Sequence, residues 1–334
     1  MLIRARRFRH IVFVWLVFTC HALAADDRAV LPLAVGEHTA QLNGVKLWYK
    51  VAGNGPVCLM PSPAQGYSSV VYVRTLGCME KLFTMVYIDS RGTGQSGRAQ
   101  ALNQYTWDHL VGDLEALRDH LHQQTIWLMG HSSAGYTVLH YALKHPNRVS
   151  GLVLLDTAAF YNWKVRVADE NMRLARWKGN PLYDGALKAW YARWRMHSKL
   201  EDSELLKIGD EENSKNDEAC LALYWSDPKK IQQFDYAFKD DKCTIEGTVG
   251  ERASKRGAFD LRGELRKVTA PALIVCGDDD FICSPECAVT LHLGLPNSKL
   301  LLIEGSGHYP WLEQPKVFET RVPEFLAALG LTVR

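Results

Sequence analysis

Ile126-Trp127-Leu128-Met129-Gly130-His131-Ser132-Ser133-Ala134-Gly135 decides how the chain is read. An apolar run of strand length ends in a small-x-Ser-x-small turn, and helical spacing follows at once, from Tyr136 to His145. A serine on so sharp a strand-to-helix turn has strained backbone dihedrals. Gly130, Ala134 and Gly135 are small, as the close approach of strand and helix requires. The hydroxyl then stands at the carboxyl edge of a sheet beside a helix N-terminus, where an oxyanion can be stabilised. A buried structural serine is the competing reading of this stretch alone, so the case turns on partners elsewhere in the chain.

Outward from the elbow, strand and helix patterns alternate. His38 to Val51 alternates apolar and polar around Asn43-Gly44, a strand-turn-strand signature. Val57 to Met60 reads as a buried strand running into Pro61-Ser62-Pro63-Ala64-Gln65-Gly66, and Phe83 to Ile88 as another. Thr106 is a candidate N-cap for a helix with Leu110, Val111, Leu114, Leu117 and Leu121 on one face. Val149 to Leu155 is a further strand. From Ala158 to Leu265 the strand alternation stops and helical patterns dominate, with Trp163, Trp177, Trp190, Trp194 and Trp225 among them. Those aromatics either roof an apolar pocket or glue small helices together. Ala272 to Cys276 resumes the sheet and ends at Gly277-Asp278-Asp279-Asp280; Leu300 to Ile303 ends in Glu304-Gly305-Ser306-Gly307-His308. Such an order predicts an α/β fold with a mostly parallel, doubly wound sheet.

Serine, aspartate and histidine thus fall at the carboxyl ends of three strands. A serine hydroxyl is a poor nucleophile until a base takes its proton, and an imidazole titrates near neutrality. A carboxylate fixes the imidazole tautomer and stabilises the imidazolium. Ser132 is the candidate nucleophile and His308, carried by a glycine-rich loop, the candidate base. The acid lies among Asp278, Asp279 and Asp280. His131 should point away from the nucleophile that it precedes.

The elbow, the Gly-Ser-Gly-His-Tyr-Pro loop and Asp89-Ser90-Arg91-Gly92-Thr93-Gly94-Gln95-Ser96 together resemble the α/β-hydrolase family, the last stretch its proline iminopeptidase-like branch. The resemblance covers nearly all of the chain. It implies a mostly parallel eight-stranded sheet with helices on both faces and a helical cap after the sixth strand: core 25–157 and 266–334, cap 158–265. The family usually places its acid three residues after the glycine, which implies Asp280, with Asp279 next. The oxyanion donors would be the backbone N–H of Ser133 and one from the loop after the third strand. That loop departs from the family's His-Gly, and proline has no N–H, so the candidates there are Ser62 and Ala64. The glycine-rich loop at residue 89 lacks the Gly-Lys-Ser/Thr ending of a phosphate cradle; Asp89 and Arg91 are expected to tie it down as an ion pair.

The implied reaction is acyl transfer to water through a serine ester, with no cofactor and no metal. A carboxylic ester, lactone or related acyl bond of a fairly apolar small molecule is the expected substrate. A proline iminopeptidase-like aminopeptidase is the nearest alternative. It is opposed by the missing His-Gly-Gly-Pro-Gly loop, by Gly-His-Ser in place of Gly-Gly-Ser-Trp, and by the lack of a clear Trp-Glu motif in the cap. A ligand-binding or receptor protein on a hydrolase scaffold is the alternative of another class.

Composition bounds the rest. The 334 residues are 47% hydrophobic and 23% charged with a formal net charge of +2, an ordinary globular balance without a nucleic-acid footprint. Arg4, Arg6, Arg7 and Arg9, the apolar stretch Ile11 to Phe18 and Ala22-Leu23-Ala24 form a signal-peptide pattern. The expectation is cleavage after residue 24, a secreted or periplasmic product, and no membrane association afterwards. In an oxidising compartment some cysteines should pair; Cys283–Cys287 and Cys220–Cys243 are the candidates.

Overall fold

The computed structural model describes residues 33–161 and 179–331 apart from 240, 242, 255 and 257. The segment expected to be a signal peptide, Trp163 and Trp177 lie outside the described residues.

Ten strands occur among the described residues. β1 (Gly36–Leu42) and β2 (Val45–Gly53) form the expected hairpin. Asn43 and Gly44 turn it with φ of 46° and 79°, the left-handed pair that matches strand twist. β3 (Val57–Pro61), β4 (Thr84–Ile88), β5 (Ile126–His131), β6 (Val149–Leu155), β9 (Ala272–Gly277) and β10 (Ser298–Ile303) complete an eight-stranded sheet in the order β1-β2-β4-β3-β5-β6-β9-β10. Only β2 runs against the others. Central strands read as unbroken apolar runs because both faces are covered. Side chains nonetheless alternate between layers: Leu59, Leu128 and Leu152 pack into one core, Met60, Met129 and Val153 into the other.

Helices α1 (Val70–Thr75), α2 (Trp107–His120) and α3 (Ser133–Lys144) follow β3, β4 and β5. Thr106 caps α2 as expected, its hydroxyl accepting from the His109 N–H at 3.3 Å. The ion pair expected within the glycine-rich loop is replaced by two separate ties. Arg91 reaches α2 and binds Asp113 with both carboxylate oxygens engaged, at 2.6 and 2.7 Å and fully buried. Asp89 instead accepts from the N–H and hydroxyl of Ser69 and from the Gln95 N–H, each at 2.7 Å. Residues two apart on a tight loop could not offer the planar, two-pronged geometry that Arg91 finds across the core.

Between β6 and β9 the described residues are largely helical, with helices Pro181–Lys199, Gly209–Glu218 and Ile245–Ala253. Short strands β7 (Phe160–Tyr161) and β8 (Phe259–Asp260) pair antiparallel and join the two ends of this insertion. Polar side chains fasten it to the loops at the sheet edge. The Thr244 hydroxyl donates to the Gly92 carbonyl (2.6 Å), that of Thr248 to the Gln65 carbonyl (2.8 Å), and buried Arg256 to the Ala64 carbonyl (3.0 Å). Trp225 is fully buried and stacks on Phe234 at 4.9 Å, so this tryptophan glues structure together. Glu313 completes the attachment. Its carboxylate accepts from the Ser226 N–H on the insertion (2.9 Å) and from the Gly307 N–H beside His308 (2.5 Å). Among the described residues no helix is long and apolar enough to cross a membrane.

Neither candidate disulfide forms: Cys220, Cys243, Cys283 and Cys287 all carry thiols. Their sulfurs face different partners. Cys220 donates to the Asn216 carbonyl (3.3 Å) and Cys243 to that of Gln65 (3.7 Å), while Cys283 lies against the Tyr136 hydroxyl and Cys287 against that of Ser284, both at 3.8 Å.

Both buried ties can be measured through stability. Asp113→Ala strands a buried guanidinium, and chemical denaturation should show a loss of about 3–5 kcal/mol; a loss below about 1 kcal/mol would contradict the tie. Burial outweighs three N–H donors at Glu313 and raises its carboxyl from 4.5 to about 7. The folded state therefore holds this proton more tightly than the unfolded chain. Stability should fall by about 3 kcal/mol at most as pH rises from about 4.5 to about 7, then level off. Glu313→Gln should remove that slope in thermal melts across pH; a slope unchanged in the variant would refute the assignment.

Candidate active site

Ser132 joins β5 to α3 with φ 54° and ψ −130°, a backbone conformation that L-residues rarely adopt. Three contacts fix the turn. The Ser132 N–H donates to the Leu155 carbonyl at 3.0 Å, its carbonyl accepts from the Thr157 hydroxyl at 2.6 Å, and the Gly135 N–H closes on the same carbonyl at 3.0 Å. The small residues are sterically required. A Cβ on Gly130 would lie 2.6 Å from Cα of Gly135, and one on Gly135 would lie 2.2 Å from the Thr157 hydroxyl. Ser132 is half-buried, hence reachable from solvent.

The histidine loop brings its ring to the same edge. His308 Nδ1 lies 2.8 Å from Asp280 Oδ2, with both side chains buried, and the other Asp280 oxygen accepts from the Ile282 N–H at 2.7 Å. His308 Nε2 is buried without a hydrogen-bond partner. Since the carboxylate can only accept, Nδ1 carries the ring proton and Nε2 presents a lone pair. The three adjacent aspartates divide their work. Asp278 accepts from the Gly305 N–H (2.8 Å), Asp279 binds the Ser226 hydroxyl (2.9 Å), and Asp280 meets His308.

Several neighbours escaped the sequence reading. His131 is not idle. Its Nε2 lies 2.8 Å from the His308 carbonyl and its Nδ1 2.9 Å from the Tyr72 hydroxyl. A carbonyl can only accept, so Nε2 carries the proton. Burial first, and His308 second, push the pKa of His131 well below the usual range, which keeps the ring neutral. The His308 N–H donates to the Tyr224 carbonyl (2.8 Å), and the Tyr224 ring stands edge-on to the imidazole at 5.3 Å. Tyr224 also packs on an apolar cluster of Tyr183, Leu223 and Phe281, with Trp190 against it, directly after Asp280. In the insertion, Arg193 binds Asp217 at 2.9 Å. Asp156, the residue that follows β6, is buried beside Asp280. An acidic residue closing an apolar strand at the edge that holds Ser132 was the available signal for it.

The oxyanion candidates separate. Ser62 is removed from the set, because its N–H already donates to the Ile88 carbonyl at 2.8 Å as an extension of the β3–β4 ladder. Its hydroxyl is bound to Thr93 at 3.0 Å. Ala64 lies buried in the turn beyond Pro63, with its carbonyl held by Arg256. Ser133 opens α3, where first-turn N–H groups have no partner within the helix.

Known proteins resemble the chain over most of its length. A proline iminopeptidase, PfmaB, from Pestalotiopsis fici is 23% identical over 287 residues, covering 82% of this chain and 93% of its own. A putative carbamate hydrolase, RutD, from Cronobacter turicensis is 25% identical over 280 residues, covering 82% and 92%. Among solved structures, the enol-lactonase from Burkholderia xenovorans superposes with a TM-score of 0.63 at 22% identity, covering 87% of this chain and all of that one (100%). The alpha/beta hydrolase fold family matches residues 68–315, and the chain belongs to that family.

Proposed function

We propose that the protein is a secreted serine hydrolase that cleaves a carboxylic ester, lactone or related acyl bond of a small, largely apolar molecule. The observation that carries this reading is the buried His308, its Nδ1 held by Asp280 and its Nε2 left open at the edge where Ser132 stands. His308 takes the Ser132 proton as the oxygen attacks the acyl carbon, and Asp280 stabilises the imidazolium. The N–H groups of Ser133 and Ala64 receive the oxyanion, at the positive end of α3. His308 then protonates the leaving alcohol, and water releases the acyl group by the same steps in reverse. Tyr224, Leu223, Phe281 and Trp190 supply the apolar wall for the substrate.

Relatives named as proline iminopeptidases favour an aminopeptidase as the second reading, and the Arg193–Asp217 pair offers a polar feature in the insertion for it. A fluorophosphonate probe and a panel of a short-chain nitrophenyl ester, a lactone and a proline naphthylamide separate the possibilities. Labelling that is lost in Ser132→Ala is expected, with ester or lactone turnover falling at least about 10⁴-fold in that variant. Turnover of the naphthylamide alone would favour the aminopeptidase. Absence of labelling, or equal labelling of Ser132→Ala, would favour a binding protein.

A further inference from the structure

Asp156 directly follows β6, which lies between the strands that lead to Ser132 and Asp280, and no step above uses it. It is held with care. Its φ is 43°, a strained value for a residue other than glycine. Its N–H donates to the Val275 carbonyl at 2.9 Å, and its side chain is fully buried at 0% exposure. One carboxyl oxygen accepts from the Gly277 N–H at 2.9 Å; the other is buried without a hydrogen-bond partner. One oxygen of Asp156, one of Asp280 and a ring nitrogen of His308 all lie within 4.8 Å of one another.

Two carboxylates so close and so buried cannot both ionise cheaply. The ring proton on His308 Nδ1 is already committed to Asp280, which also receives the Ile282 N–H. Negative charge is therefore best placed on Asp280, and the extra proton on Asp156. Among the described residues, the other titratable groups facing the pair bring no cation. The Cys276 thiol of β9 is pushed well up by burial and then by the charges of Asp156 and Asp280, with Cys283 and Cys287 beyond it. His131, across the His308 ring at 4.5 Å, is neutral. Burial, followed by the Asp280 charge, holds the Asp156 carboxyl well above the usual carboxylate range.

We propose that Asp156 is a positioning residue, a neutral carboxylic acid that gives a hydrogen bond to Asp280, so that the pair behind His308 shares a single negative charge. By drawing charge from Asp280 it sets how firmly the imidazolium is held, and hence where the acid limb of the pH–rate profile falls. The proposal rests on the serine hydrolase reading of the same site.

The test is the pH dependence of kcat/KM for the wild type, Asp156→Ala and Asp156→Asn, on whichever ester or lactone the panel shows to be turned over. Asp156→Ala concentrates the charge on Asp280, and the acid limb should move up by about half to one pH unit. Asp156→Asn keeps both contacts, its oxygen toward the Gly277 N–H and its N–H₂ toward Asp280, and should return the limb to the wild-type position. A downward move of about a unit in Asp156→Asn would mean that a charge had been removed, and would overturn the proposal. An unmoved limb in Asp156→Ala would reduce Asp156 to packing and also overturn it. Should the alanine variant not fold, the asparagine variant still decides by the direction of its shift. Difference infrared spectra at about pH 9, some two units above the Glu313 value, give a readout that does not need turnover: the carbonyl stretch of a protonated carboxyl, present in the wild type and missing from Asp156→Asn. Its absence from the wild type, or activity lost to a chelator and restored by a divalent cation, would contradict a shared proton. Failure of Ser132 to label strikes the catalytic reading alone, and the infrared band then tests the protonation of Asp156 independently.

Discussion

The turn at Ser132 is the constraint on which the architecture depends. A non-glycine residue at φ 54° and ψ −130° persists only where its surroundings over-determine it. Here they do so from three directions: β6 supplies a carbonyl for the Ser132 N–H, Thr157 supplies a hydroxyl for its carbonyl, and α3 closes against β5 with no space for side chains at Gly130 and Gly135. The strain of roughly 1–3 kcal/mol is offset by two buried apolar layers that pin β5 and α3 from either side. On the proposed reading, what the turn supplies is a serine held at the sheet edge beside the start of α3 before any substrate arrives.

The His308 loop is held by a different principle. No regular element carries residues 304 to 309, so backbone groups there need side-chain partners. Asp278 takes the N–H of Gly305, Glu313 that of Gly307, and His131 binds the carbonyl of His308 while Tyr224 takes its N–H. Two of these contacts tie the loop to the insertion as well, since Glu313 also binds Ser226 and Tyr224 belongs to the inserted segment. The insertion and the proposed base are therefore mechanically joined. A change in the insertion that moves Tyr224 or Ser226 is felt at the imidazole.

Features governed by neighbours in the chain are legible in the sequence. The Asn43-Gly44 turn, the Thr106 cap and the elbow each depend on residues within a few positions, and the structure has all three. Features governed by contacts across the fold are not. Arg91 reads as a partner for Asp89, two residues away, but finds Asp113 on a helix. The N–H of Ser62 reads as open and is taken by Ile88, because β3 runs one residue further along β4 than an apolar run ending in proline suggests. Cysteine spacing carries no information on sulfur direction, so neither candidate disulfide forms. Asp156 and Glu313 leave only a faint signal, an acidic residue beside apolar ones, and acquire meaning through distant partners, Asp280 for the first and Ser226 for the second.

The most direct measurement is a crystal structure of the protein after reaction with an organophosphonate. The expected result is phosphorus bonded to Ser132 Oγ, its phosphoryl oxygen about 3 Å from the Ser133 N–H, and His308 Nε2 turned toward the adduct. An unmodified Ser132, an adduct on another residue, or a His308 ring facing away from the serine would contradict the proposed chemistry.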